Sequence, residues 1–327
     1  YKIGGGGMHI FKGNPLLNEN EFLSNTVAGN GGGLYLRQTG ATLSGNTIAL
    51  NTASQGSGVY LDSNITLILR ENAITNNAAS TNGGGLYAES GTVTLESNTF
   101  SANIAAVGGG GAYLATNVTL TRNKFEANEA YQGGGLYVSG PSTLDGNIVF
   151  NNEALLSGGG LYMYKSTATL INTVVASNVV SDGYGSGLYI NGSTPNLLHT
   201  TVALNAGGDE SGAYVTGASQ ATFTNTILVS QTMGLGVMSG STVILHSVLR
   251  YGNTTDWGGG GTVTVQGVNI RQPPDFVDPD NDDFHLNINS PAIDMGVDSG
   301  VTVDMDGNAR PRNAGYDLGA DEYDGTC

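Results

Sequence analysis

The sequence predicts an all-β chain, a right-handed single-stranded parallel β-helix: a solenoid of about eleven coils followed by a C-terminal cap of short strands and loops. Three observations predict it. A Gly-rich turn leading into an apolar-Tyr-apolar strand recurs roughly every 26 residues, an Asn-x-apolar-x-x-Asn element follows it, and no segment carries a long helical apolar stripe.

The turn-and-tyrosine element reads Gly33-Leu34-Tyr35-Leu36, Gly58-Val59-Tyr60-Leu61, Gly85-Leu86-Tyr87-Ala88 and Gly111-Ala112-Tyr113-Leu114. It continues through Tyr137, Tyr162, Tyr189 and Tyr214, and the interval from one tyrosine to the next never departs from the repeat by more than a residue or two. Variation that small is absorbed in one or two turns, so one repeat is one coil. Glycine at the turn supplies positive φ and lets neighbouring backbones approach without a Cβ.

The second element recurs as Leu43-Asn46-Ile48-Asn51, Leu69-Asn72-Ile74-Asn77, Leu95-Asn98-Phe100-Asn103, Leu120-Asn123-Phe125-Asn128 and Leu144-Asn147-Val149-Asn152. Leu17-Asn20-Phe22-Asn25 precedes them, and later coils keep Asn178 and Asn205 but carry Thr173 and Thr200 at the first place. Asparagine tolerates the left-handed backbone of a tight turn, and its amide both donates and accepts. Turns stacked ~4.8 Å apart would let each amide bond to the next coil. Two turns of this kind punctuate three short strands per coil.

Alternation places Leu34 and Leu36 inward and Tyr35 outward, stacking Leu34 on Val59 and Leu86 in an aliphatic column. Each buried Leu or Val contributes ~1.5–3 kcal/mol, which over many coils offsets the chain entropy of a sequence with 52 glycines. Counted from Met8 to the run Gly258 to Gly261, the rod is ~50 Å long.

The coils are expected over residues 1–270 and the capping segment over 271–327, where Asp278, Asp280, Asp282, Asp283 and later aspartates replace the repeat. Tyr1-Lys2-Ile3-Gly4 runs straight into the first repeat with no cap and no charged-then-apolar leader, so the chain reads as processed or excised. An uncovered end invites head-to-tail stacking, which makes a filament if it does not close.

Formal net charge is −16, with only 11 Lys plus Arg, and this disfavours nucleic acid and anionic lipid as partners. No apolar run reaches the length of a membrane span, so no membrane insertion is expected of this segment. The single cysteine, Cys327, rules out an internal disulfide framework.

The Gly-Gly-apolar and Phe-x-x-Asn elements, seen at Phe22 to Asn25, Phe100 to Asn103 and Phe125 to Asn128, resemble the repeats of chlamydial-type polymorphic membrane proteins over roughly residues 4–265. That resemblance implies a surface β-helix, although no autotransporter barrel accompanies the repeats. The tail, with Asn289-Ser290-Pro291-Ala292-Ile293-Asp294-Met295-Gly296, Asp304 to Arg310 and Tyr316 to Tyr323, is similar to the choice-of-anchor Q domain. This likeness implies a bacterial secreted protein at the cell surface or outside the cell. Such domains commonly precede an anchoring signal, and none follows Tyr323.

Four sets of residues are candidates for function. The tyrosines Tyr35, Tyr60, Tyr87, Tyr113, Tyr137, Tyr162, Tyr189 and Tyr214, with His9 before them, form an outward aromatic ladder that serves cross-coil stacking, or binds sugar rings or a neighbouring subunit. Arg70, Glu96, Arg122 and Asp145 fall at neighbouring positions of adjacent coils, as solvated ion pairs or as the charged row of a catalytic groove. In the tail, Asp304, Asp306 and Asn308 resemble the start of a calcium loop without its full spacing or closing Glu, so calcium binding stands beside plain turn chemistry. Asn64, Asn117, Asn191 and Asn253 are glycosylation sequons; the histidines His9, His199, His246 and His285 are dispersed.

The function expected from these features is a non-catalytic extracellular structural or adhesive protein that self-associates end to end and contacts cell-surface or environmental polysaccharide. The alternative is a carbohydrate-active β-helix enzyme, a polysaccharide lyase or glycoside hydrolase.

Overall fold

The computed structural model describes residues 4–62 and 65–325. Among them, eleven strands stack into one parallel sheet in strict coil order from Met8–Gly13 through Leu34–Thr39 and Val59–Asp62 to Thr255–Gly258. Leu34 pairs with Val59, Val59 with Leu86, Leu86 with Ala112 and Ala112 with Leu136, so one winding of the backbone is one repeat of the sequence. A 19-stranded sheet and a 7-stranded sheet complete the walls of a parallel β-helix.

The alternation works as the sequence implies. Leu34, Val59, Leu86, Ala112, Leu136, Leu161, Leu188 and Leu235 have no solvent exposure, and a second column, Leu43, Leu69, Leu95, Leu120, Leu144 and Leu170, faces them from the larger sheet. Phe100 stacks on Phe125 inside, with ring centroids 4.8 Å apart. Small residues, Ala79, Ala105 and Ala130, line the third wall and let it pack close.

Central coils hold four short strands instead of the three expected, for example Val59–Asp62, Thr66–Arg70, Ala73–Thr75 and Ala78–Ala79. The first Asn corner divides one face without leaving the 19-stranded sheet. The later coils merge these halves into Gln220–Val229 and Thr242–Tyr251 and drop the third wall after Ala206–Gly207. The winding shortens as a result: Tyr214 pairs with Gly236 and Gly236 with Gly258, partners closer along the chain than those of the central coils.

Asparagine acts at these corners, but not by adopting the left-handed backbone itself. The residue before it does: Glu71, Ser97 and Arg122 have φ of 55°, 55° and 53°, and Asn76, Ala102 and Ala127 at the second corner have 55°, 52° and 53°. Left-handed backbone costs a non-glycine residue ~1–2 kcal/mol. The buried amides that follow compensate. Asn98 donates its backbone N–H and one Nδ2–H to Asn123 Oδ1, each at 2.9 Å, and also donates from Nδ2 to the Leu69 carbonyl at 2.9 Å. Its own Oδ1 accepts the equivalent pair from Asn72 at 3.0 and 2.9 Å. Each amide therefore joins three consecutive coils.

Glycine does take the left-handed conformation at the opposite turn, where Gly83 has φ +66°. Two residues on, Gly85 is required by proximity, since a Cβ there would stand 2.5 Å from the Gly111 carbonyl oxygen of the next coil.

Residues 271–325 consist of loops and one antiparallel pair, Phe276–Asp278 with Asp283–Leu286. They lie along the flank of the rod, not across its last coil. Phe284, Leu286, Ala292, Leu318 and Ala320 pack on the outward side chains Val174, Ala176, Ala203, Ile227, Val229 and Leu249 to make a second core. Among the described residues nothing pairs with the outer edge of Thr262–Ile270, most of whose side chains are exposed. Arg250 stands where the column Val202, Leu228 would place another aliphatic; it is buried, with its guanidinium 4.7 Å from the Trp257 ring and 2.8 Å from Asp256.

Replacing Asn98 by Ala leaves two donors of Asn72 without their acceptor, and should destabilise the chain by about 3 kcal/mol in chemical denaturation. Asn98→Thr, the substitution the chain itself carries at Thr173 and Thr200, should cost less than half of that. Equal losses for both would contradict the amide's role.

Candidate functional site

The tyrosine row forms as one continuous stack. From Tyr35 to Tyr214 successive rings lie 4.4–5.5 Å apart with interplanar angles of 4–17°. Strand register dictates this, because identical side chains sit one coil apart on a sheet with parallel pairing. Each ring face meets another ring, leaving edges and hydroxyls toward solvent, and Tyr87 and Tyr162 are buried. His9 meets Tyr35 edge-on at one end, and the Tyr214 ring packs over Gly236 at the other.

The hydroxyls also have partners. Tyr35 donates to Asp62 at 2.7 Å, and those of Tyr87 and Tyr162 engage Glu89 and Asn191. Burial first, and then the neighbouring carboxylate or phenols, push Tyr35 and Tyr189 up to about 12 and raise Tyr87 and Tyr137 as well. The folded state thus holds these protons more tightly than the unfolded chain, so stability is lost as pH rises from 10 to 12. Ultraviolet titration should show the row ionising at higher pH than free tyrosine, with Tyr35 and Tyr189 still un-ionised at pH 11 while the fold persists. Ionisation near pH 10 without unfolding would contradict the stack.

The charged row is exposed and modest. Arg70 and Glu96 pair at 2.8 Å with both side chains about half exposed, an arrangement typically worth ~0–1 kcal/mol. Asp145 lies farther along, bonded by the Asn172 amide at 3.2 Å, and its carboxyl is raised by burial. A shallow groove of about 660 Å³ crosses the turns beside the tyrosine face, lined by Glu89, Asn117, Ser139 and Lys165.

Of the sequons, Asn117 is exposed. Asn253 continues the second amide ladder: its Oδ1 accepts from the Gln231 N–H at 3.1 Å and its Nδ2 donates to Leu228 at 2.9 Å, so it is a structural residue. Asn191 serves the Tyr162 hydroxyl. Asn64 and Cys327 lie outside the described residues.

In the tail, the motif residues turn out to hold the segment together. Asp304 is buried, and its Oδ1 accepts N–H bonds from Asp306, Gly307 and Asn308 at 2.8–2.9 Å while Oδ2 accepts from Glu322 and Asn308. Asp304 thus folds the turn, and it is not among the residues that line the pocket beside it. Arg310 and Glu322 form a fully buried pair at 2.8 Å, and the guanidinium also donates to the Gly319 and Ala320 carbonyls.

What the turn does present is Asp306 and Asn308, at the wall of a pocket of about 300 Å³ completed by Val277, Asp283, His285, Asp321 and Asp324. His285 stands on Asp283–Leu286 with Nδ1 2.5 Å from Asp283 Oδ1 and Nε2 2.8 Å from Asp306 Oδ2. The Asp306 carboxylate first, then Asp283, push the imidazole up to about 10 against the opposing effect of burial. No local signal in the sequence marks this group, because His285, Asp306 and Asp321 meet only when the tail folds back on itself.

His199 is a third feature hidden from sequence. It sits under the tail, fully buried, with Nδ1 3.1 Å from the Asp317 carbonyl and Nε2 2.9 Å from both Ser299 Oγ and Asn225 Nδ2. A carbonyl only accepts, so Nδ1 carries the proton and Nε2 accepts. Burial, with the Arg310 charge adding, pushes its pKa down to about 3, whereas burial raises Asp317 to about 7. As pH falls below 6.5 the His199 contribution is lost, while Asp317 gains from 7 down to 3.8, so the two oppose. His199→Gln should leave the gain alone. Its melting temperature should then rise relative to wild type between pH 6.5 and pH 4; parallel pH profiles would contradict this assignment.

Comparison with known proteins agrees with the geometry. Residues 16–175, a little under half of the chain, match the family described as right handed beta helix region. No curated protein and no solved structure gives a match. The chain is thus a right-handed parallel β-helix repeat protein with stacked asparagine ladders.

Proposed function

We propose that this chain is a non-catalytic structural or adhesive rod of the bacterial cell surface or extracellular space, able to join end to end. The observation that carries the reading is the open last coil. Strands Thr255–Gly258 and Thr262–Ile270 close their sheets without a neighbour on the outer side among the described residues, because the tail goes to the flank. Such an edge templates pairing with another chain, and a heterologous contact of this kind grows filaments.

Two further features support an adhesive role. On the third wall, neighbouring strands expose Ile104, Tyr131, Leu155 and Val179, with Glu129 and Glu153 in register between the first and the last, a mixed apolar and acidic face open to a partner. The repeats resemble those of polymorphic membrane proteins and the tail resembles the choice-of-anchor Q domain, and both likenesses favour a surface location. Environmental or cell-surface polysaccharide is the partner we assign to the polar edges of the tyrosine face and the groove beside it.

That groove, with Glu89 and Lys165 on its walls, is the observation that favours the second reading, a polysaccharide lyase or glycoside hydrolase. Incubation with a panel of acidic and neutral polysaccharides should release no new reducing or unsaturated ends, and negative-stain images should show rods joined end to end. Placing a charge on the open edge with Val268→Lys should separate the rods without lowering the melting temperature. Polysaccharide cleavage, or rods indifferent to Val268→Lys, would overturn the proposal.

A further inference from the structure

The tail pocket brings together His285, Asp306 and Asp321 from separate stretches of the tail. Asp283 Oδ1 accepts the Nδ1–H of His285, and in the metal-free chain Nε2–H donates to Asp306 Oδ2 at 2.8 Å. Ligand atoms of His285, Asp306 and Asp321 all lie within 4.8 Å of one another. A metal ion in place of the Nε2 proton would take that nitrogen and the two carboxylates as its ligands.

Asp321 gives an independent indication. Asp321 is 4% exposed, its Oδ2 accepts the Leu286 N–H at 2.8 Å, and its side chain lines the pocket. Keeping a carboxylate charged at so little exposure is costly, and a cation in the pocket in front of it offsets that cost. The pocket in front of it, about 300 Å³, has room for an ion with its water.

We propose that His285, Asp306 and Asp321 bind a divalent first-row transition ion, with Asp283 fixing the imidazole and Asn308 at the rim. The donor set decides the class of ion: an imidazole with two carboxylates and an open position suits zinc and its neighbours, whereas calcium prefers six to eight oxygens. A carboxylate on the far imidazole nitrogen is the usual support of a metal-bound histidine. Ligands of one zinc stand at most ~4 Å apart, so the group has to close by less than about 1 Å. The three ligands come from the Asp283–Leu286 strand, the turn at Asp306 and the segment at Asp321, so the ion would pin the tail's separate loops together. This site is independent of whether the rod binds glycans or forms filaments.

The test uses Zn²⁺ itself, titrated calorimetrically into the whole chain in a non-coordinating buffer, with Ca²⁺ in a parallel arm. One equivalent of zinc should bind and raise the melting temperature, with calcium at least about 100-fold weaker. His285→Asn and Asp306→Asn should each abolish the zinc-induced shift, Asp283→Asn should weaken binding about 10–100-fold, and Glu153→Gln on the third wall should change nothing. Cobalt(II) added to the unaltered chain gives a readout that does not depend on any variant folding: its visible bands should show nitrogen and oxygen ligands in low coordination. No zinc uptake, undiminished binding in His285→Asn, calcium binding as tight as zinc, or only the hexa-aqua cobalt spectrum would each overturn the proposal.

Discussion

Everything in this molecule depends on like residues of successive coils lying in register. Parallel pairing at intervals of one repeat places side chain on side chain, and the chemistry of each column follows from that single constraint. Aliphatics make an interior, aromatics make a stack, and amides make a ladder. The ladder is the most demanding of the three, because Asn46, Asn72, Asn98, Asn123 and Asn147 are buried and each of the middle amides needs partners in the coils on both sides. It also accounts for the positive φ of chemically varied residues such as Glu71, Ser97 and Arg122, a strain that an unlaced corner would not sustain.

Much of the coil was legible in the sequence, since periodicity, alternation and turn chemistry are all local or near-local signals. The inward column from Leu34 to Leu235 and the outward tyrosines follow directly from period-two alternation. Finer points were not legible. Which residue of a corner takes the left-handed conformation depends on the direction in which the amide must point, and the sequence alone favours the Asn itself. Arg250 in an aliphatic column becomes intelligible only with Trp257 and Asp256 beside it.

The tail shows the opposite balance. Its composition announces loops and its motif residues announce a recognisable segment, yet where it goes is a tertiary matter. The outward residues Val174, Ala203 and Ile227 belong to strands that look like any others, and their apolar character marks the docking site only once Leu318 and Ala320 are seen against them. The same folding back buries His199 and assembles His285 with Asp306 and Asp321. Residues that read as scattered along the chain thus form the two most chemically distinctive environments in the molecule.

The claim that amides lace successive coils together is most directly tested by site-resolved hydrogen exchange at the corners. In this account the backbone N–H groups of Asn72, Asn98 and Asn103, each donating to a side-chain oxygen of the following coil, exchange only with global unfolding, as slowly as those of the strands around them. Corner amides exchanging rapidly, as solvent-exposed turns do, while the flanking strands stay protected would contradict it.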